Sequence, residues 1–163
     1  MKVPFHVRVD NRLLHGQVVQ FWIPHLGIEH LIVADDDIKS NSAMQAIYRM
    51  ALPRIVDLTV VGVDELGEGL PPAGKTPTML LVKTIANAEK ILSMGISIPR
   101  LTIGNVHASP ERERVTDAVY LSEAEVLSLT AMSQTGMAIE IQTFPGEVLR
   151  FLSPEKGGPG WGK

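Results

Sequence analysis

The 163-residue chain contains no cysteine, which excludes disulfides, thiol catalysis and cysteine-ligated zinc and suits a reducing compartment. It has no apolar run approaching the roughly 18 residues that a membrane-spanning helix requires. Its start, MKVPFHVRVDNR, alternates and then turns polar, so neither a span nor a secretory leader is expected. A basic excess is also missing: the net charge is −3, with 15 Lys and Arg against 18 Asp and Glu. That argues against a general nucleic-acid binder, because neutralising phosphates takes surplus positive charge. What is present, 45% hydrophobic and 20% charged residues, is the make-up of an ordinary globular domain able to bury a core without staples. One domain is expected over residues 1–152, followed by a Gly- and Pro-rich tail at 153–163 that is expected to be disordered.

Two apolar periodicities alternate along the chain. Phe5 to Val9 reads as a strand, and Gly16 to Leu26 as a helix stopped by Gly27. His30 to Ala34 is a continuous apolar run, as in a strand buried on both faces. Ser40 or Asn41 can cap a helix running to Leu52, where Pro53 ends it. Leu58 to Val63, Met79 to Val82, Leu101 to Ile103, Ala118 to Leu121 and Ile139 to Ile141 read as further strands. Asp64 is expected to cap a short turn and Asn87 a helix ending at Gly95, and Gly67 to Pro77 reads as a loop. Ser122 with Glu125 forms a capping box for the last helix. Strand–helix–strand repetition on this scale predicts an α/β fold, an open and mostly parallel β-sheet with helices on both faces. In such folds ligands sit beyond the carboxyl ends of the strands.

The chemistry concentrates where the first strand ends, in RVDNRLLHGQV from Arg8 to Val18. His15 falls at a helix start on the sheet edge where ligands bind, and unpaired amides with a positive dipole end favour an anion there. Arg8 and Arg12 flank Asp10 and can converge on one spot, each suited to phosphate through paired charge-assisted bonds. Asp10 can bond one imidazole nitrogen and so fix the tautomer in which the other attacks. Gly16 lets the backbone come close to whatever His15 carries. Read without a family, the same residues are also compatible with a surface ion pair beside a helix-capping histidine.

RVDNRLLHGQV resembles the R-[IV]-D-x-R-L-[IL]-H-G-Q-V signature of IIB components of mannose–sorbose-type sugar phosphotransferase systems. The resemblance extends through HLIVADDDI, MLLVKTIANAEKILSMGI and LTIGNVHASPERERVTDAVYLSEAE. It implies a phosphocarrier, formally a protein-phosphohistidine–sugar phosphotransferase, that needs no cofactor and no metal. His15 would accept phosphate on Nδ1 from a phosphohistidine of a IIA partner. It would then pass the group to a sugar imported through membrane IIC and IID components. Arg8, Asp10 and Arg12 would support the transfer, with Arg8, Arg12 and Gly16 at the phosphate. The protein would be cytoplasmic and peripherally associated with the inner face of the membrane. A regulatory phosphoprotein on the same fold, without a transport role, would show the same His15; sugar phosphorylation in vesicles holding IIC and IID separates the two. The chain departs from the family at Gly104-Asn105, where Gly-Gly is common, and at Glu111-Arg112-Glu113-Arg114, in place of a Gly- and Lys-rich run.

Other signals carry less. Residues 69–76, GLPPAGKT, match the Walker A letters, but prolines inside the loop remove amides that should face phosphate. The triplet Asp35, Asp36, Asp37 reads as a solvated turn before a helix, with Asp35 as a candidate for the rim of the His15 site. Lys83 and His107 end strands on the same edge and are the other rim candidates. His25 suits a helix C-terminus, His6 and His30 read as partly buried strand or surface residues, and Phe21 and Trp22 read as core.

Overall fold

The computed structural model describes residues 5–70, 76–152 and 160–162. In chain order the strands are β1 (Phe5–Asp10), β2 (His30–Ala34), β3 (Asp57–Val61), β4 (Thr78–Val82) and β5 (Arg100–Asn105). They continue with β6 (Arg112–Arg114), β7 (Tyr120–Ser122), β8 (Ala138–Ile141), β9 (Leu149–Leu152) and β10 (Gly160–Gly162). The helices are α1 (Ile23–Leu26), α2 (Asp36–Lys39), α3 (Ser42–Ala51), α4 (Leu66–Gly69), α5 (Ile85–Ser93) and α6 (Glu123–Gln134). Among the described residues, eight strands form one sheet in the order β10-β9-β8-β5-β1-β4-β2-β3. It is parallel from β3 through β8, and β9 and β10 add antiparallel.

Alternation along the strands builds two cores, one per face. Val7, Val9, Leu80 and Ile103 face one core with Ile85 and Ile91 of α5 and Leu129 of α6. Leu31, Val33, Met79 and Leu81 face the other, with Trp22 and Ile23 and with Tyr48 of α3. The unbroken apolar runs of β2 and β4 follow from this, since every position is covered. Each fully buried Leu, Ile or Val contributes about 1.5–3 kcal/mol. Period two also decides the site. Val7 and Val9 point to the first core, so Arg8 and Asp10 point to the face that carries Trp22.

The helical run at residues 16–26 has the expected bounds, and Gly27 closes it in the left-handed region at φ 61°. Its interior differs, however: Val18–Trp22 is a π-helical turn ahead of α1. Asn41 caps α3 by accepting the Met44 amide, and Ser122 with Glu125 forms the capping box of α6, both as expected. Two cap expectations are corrected. Thr84, the last extended residue, accepts the Asn87 amide at 3.1 Å, so it and not Asn87 caps α5. Gly62, not Asp64, precedes the 3-10 turn Val63–Glu65, and Glu65 reaches back to its amide at 3.2 Å. Residues 67–69 of the expected loop belong to the short α4 (Leu66–Gly69), and residues 71–75 lie outside the described residues. The polar stretch after β5 holds the β6–β7 hairpin. Of the tail, Gly160–Gly162 is a strand paired with β9, with Trp161 edge-on to Phe151 at 5.1 Å; residues 153–159 and 163 are not among those described.

Candidate functional site

β1 lies between β4 and β5, and the connections that leave β1 and β4 cover opposite faces and run in opposite directions across the sheet. The run at 16–26 covers one face on the way to β2, while α5 covers the other between β4 and β5. The carboxyl end of β1 therefore lies at a switch in strand order, where open α/β sheets form crevices. A register shift between Val9 and Asp10 sets Asp10 opposite Asn105.

Asp10 is fully buried and is the hub of the turn. Its Oδ2 accepts from His15 Nε2–H at 2.8 Å and from Asn105 Nδ2–H at 2.8 Å, with Arg8 Nε at 3.4 Å. Its Oδ1 accepts the Arg12 amide at 3.0 Å. Burial pushes the carboxyl up, but the His15 hydrogen bond, the Arg8 charge and the Asn105 hydrogen bond outweigh it and hold it below the usual carboxylate range. An ionised carboxylate only accepts, so the imidazole hydrogen sits on Nε2. Nδ1 is then the bare lone pair, buried and without a hydrogen-bond partner among the described residues. Such orphaned buried atoms are rare, and a catalytic role is one standing explanation. Leu13 makes the chain return on itself, at φ 54° in the left-handed region and buried in the second core. The Val18 and Val19 amides both close on the His15 carbonyl, at 3.0 and 3.1 Å.

Arg8 corrects an expectation. It is 1% exposed and cannot meet an arriving anion at the surface. Its Nη1 donates to the Gln142 carbonyl at 2.7 Å, its Nη2 reaches the Thr143 carbonyl at 3.5 Å, and its guanidinium carbon stands 4.8 Å from the Trp22 ring centroid. Burial pushes its pKa down, while Asp10 favours the charge. Gly104 is what admits it: a Cβ there would land on the guanidinium. Arg8 thus acts beneath Asp10, as its buried counter-charge.

Arg12 is exposed, and its guanidinium has no hydrogen-bond partner among the described residues. Space over Gly16 is open, and no protein atom lies where its Cβ would be, so close approach there concerns a ligand and not the protein. Asp35 is buried and caps α2 by accepting the Ile38 amide at 2.9 Å, which replaces the expected solvated turn and takes it from the rim. Lys83 follows the end of β4 with its ammonium 3.6 Å from Asp37, and His107 is exposed beyond β5. Asn11 ties these strand ends together: its side chain donates to the Lys83 carbonyl at 2.9 Å and accepts the His107 amide, while its own amide donates to the Asn105 carbonyl at 2.9 Å.

Asn105, Gln17 and Asn11 were not among the expected site residues. Their contacts join β1 to segments far along the chain, and a local motif carries no mark of that. Phe21 and Trp22 divide. Trp22 is core and donates to the Thr143 carbonyl at 3.1 Å, whereas Phe21 is 46% exposed and stacks edge-on with Phe144 at 5.2 Å. Arg112 of the charged run grips Glu125 through two nitrogens at 2.6–3.2 Å and donates to the His107 carbonyl at 2.9 Å, bracing the loop after β5. The Walker letters precede strand β4, whereas a phosphate-cradling loop opens a helix. His30 Nε2 lies 2.7 Å from Thr59 Oγ1, and His25 sits in the last turn of α1, edge-on to Trp22. No helix among the described residues is long and apolar enough to cross a membrane.

Residues 5–150 match the family model described as "PTS system sorbose subfamily IIB component". The N-acetylgalactosamine-specific phosphotransferase enzyme IIB component 1 of Escherichia coli is 26% identical over 86% of this chain and 90% of its own length. The mannose-specific EIIAB component of the same organism is 23% identical over 83% of this chain, a match to 42% of that longer protein. The crystal structure of manxB from Thermoanaerobacter tengcongensis superimposes with a TM-score of 0.79 at 30% identity, covering 87% of both chains.

Proposed function

The chain belongs to the sorbose subfamily of phosphotransferase-system IIB components, and from that premise we propose that it carries a phosphoryl group on His15 Nδ1. The group comes from a phosphohistidine on a IIA protein and goes to a hydroxyl of a sugar arriving through membrane IIC and IID components. The chain then works in the cytoplasm, against the inner face of the membrane. The observation that carries the reading is the pairing of Nε2 with Asp10 at 2.8 Å while Nδ1 is left without a partner.

The step needs no group beyond these. The Nδ1 lone pair forms a bond to phosphorus as the bond to the donor imidazole breaks and that ring leaves neutral. Positive charge develops on the His15 ring and is met by the ionised Asp10 through Nε2–H, so Asp10 acts where charge appears in the transition state. In the return step the His15 N–P bond breaks as a P–O bond forms, the ring leaves neutral with its hydrogen still on Nε2, and the proton of the sugar hydroxyl passes to water. Arg12, with the Gly16 and Gln17 amides that open the helical run, meets the phosphoryl oxygens; the next two amides, of Val18 and Val19, are already taken by the His15 carbonyl. Arg12 is exposed, and its screened attraction suits a carrier that must also release the group. His107 and Lys83 stand at the rim. The names of relatives run from N-acetylgalactosamine to mannose, which agrees with sugar choice residing in the membrane components.

The test is intact mass after incubation with phosphoenolpyruvate, the general phosphotransfer proteins and a charged IIA. One acid-labile, alkali-stable phosphate on wild type and none on His15→Ala is the expected result. An unmodified wild type beside a charged, cognate IIA rejects the reading.

A further inference from the structure

Two donors meet on Asp10 Oδ2, and only one of them is His15. The other, Asn105 Nδ2, comes from the end of β5, 95 residues further along, and lies 2.8 Å from the same oxygen. The same nitrogen is 3.1 Å from Gln17 Oε1 in the helical run. Both neighbours are acceptors, so the amide has one sensible orientation; flipped, its oxygen would face two oxygens. Asn105 is buried, and its carbonyl is bound by the Asn11 amide, so its own position is fixed at both ends. The Asp10 carboxylate is therefore pinned at Oδ1 by the Arg12 amide and at Oδ2 by Asn105, while Arg8 at 3.4 Å is the long contact.

We propose that Asn105 is a positioning residue for phosphoryl transfer at His15: it holds the Asp10 oxygen against His15 Nε2–H and so fixes the ring with Nδ1 as the nucleophile. This rests on the phosphocarrier reading above. Without Asn105, Oδ2 has only the long Arg8 contact besides His15 itself, and rotation about the carboxylate bond turns the acceptor off the ring. Asn105 does not touch the phosphoryl group; it acts through Asp10. Gln17 completes the arrangement by taking the second amide hydrogen, which prevents the Asn105 side chain from swinging outward.

The signature is the His15 Nε2–H proton, seen in ¹H–¹⁵N spectra of the unphosphorylated protein, together with the rate of phosphorylation by charged IIA. Wild type is expected to show a hydrogen-bonded Nε2–H that is lost in His15→Ala. Asn105→Ala should exchange that proton with solvent about tenfold faster or more and lower the transfer rate by about 10–100-fold. Asn105→Asp matches the shape but sets a second carboxyl against Asp10, so its damage should depend on pH, small where the new carboxyl is protonated and donates, and as large as that of Ala where it is ionised; a packing role would show no such dependence. Gln17→Ala removes only the second anchor, without opening the core, and should shift both readouts in the same direction by a few-fold. Asn105→Ala and Gln17→Ala with wild-type exchange and wild-type rates overturn the proposal alone. A wild type that takes no phosphate overturns the reading beneath it, whatever the variants do to the proton.

Discussion

Gly104 carries the clearest stability consequence of any single residue. Its missing Cβ is the room in which the Arg8 guanidinium lies, so Gly104→Ala should expel Arg8 and leave Asp10 as an uncompensated buried charge. Breaking a buried pair in this way costs about 3–5 kcal/mol, and urea unfolding should show a loss of that size. The charges also set a pH dependence. Burial holds His30 below its ordinary value, and burial with Arg100 and His25 does the same for His6. The unfolded chain therefore binds protons more readily than the folded one. Their contribution is present above the unfolded value of about 6.5 and is lost as pH falls through the lower folded values. Asp10 is likewise depressed, so its contribution is present above about pH 4 and lost below, through its folded value. Calorimetric Tm should stay level above pH 7, decline on acidification from about pH 6.5 and fall again below about pH 4. His6→Gln with His30→Gln should remove the first decline and keep the second. At this scale the sequence was most readable where contacts are local. Asp10 and His15 lie five positions apart, and their pairing follows from strand end, turn and helix start. The place of Arg8 was misread, because what buries it, the Gln142 and Thr143 carbonyls and the Trp22 ring, is supplied from outside the motif.

Among the elements, the run at 16–26 shows what a pattern can and cannot carry. Its apolar spacing and Gly27 mark a helix and its end, yet the π-helical turn at Val18–Trp22 was not legible. Bonds from i to i+5 instead of i to i+4 differ by one residue, which a five-residue stretch cannot reveal. A π-turn is in effect one residue more than the α-turn it replaces. Deleting the exposed Gln20 should therefore restore a plain helix with Trp22 still facing Arg8, whereas inserting one Ala beside Gln20 should rotate Trp22 by about 100°. The Trp22 indole Nε1–H resonance, bonded to the Thr143 carbonyl, should persist in the first variant and vanish in the second. The strands β6, β9 and β10 were not expected for a related reason, because three or four residues are too few to establish a period of two, whereas β7 overlaps the strand expected at Ala118 to Leu121. The caps that were misplaced at Asp64 and Asn87 missed by two or three positions, the usual play at helix ends.

Across the whole molecule, the parallel sheet with both faces covered was legible from apolar runs without alternation. The order of its strands was not, because periodicity says which residues are buried but not which strand lies beside which. Asn105 entered the site through that order, since β5 is next to β1. At the far edge, among the described residues, β10 pairs with β9 alone and brings Trp161 onto Phe151. A chain ending at Leu152 should lose that contact and a few degrees of Tm, while keeping the parallel strands and phosphorylation of His15. Tm and intact mass measured on one preparation decide it. The position of β1 also has a meaning in time. Phe5 pairs with Thr78 and Val7 with Leu101, so both neighbours of the first strand are made long after it. During synthesis the Arg8–His15 stretch leaves the ribosome before either of these neighbours and waits, unpaired, for the middle of the chain. A nascent chain halted before β5 carries every letter of the histidine motif but neither the Asn105 amide that holds Asp10 nor the Gln142 and Thr143 carbonyls that hold Arg8.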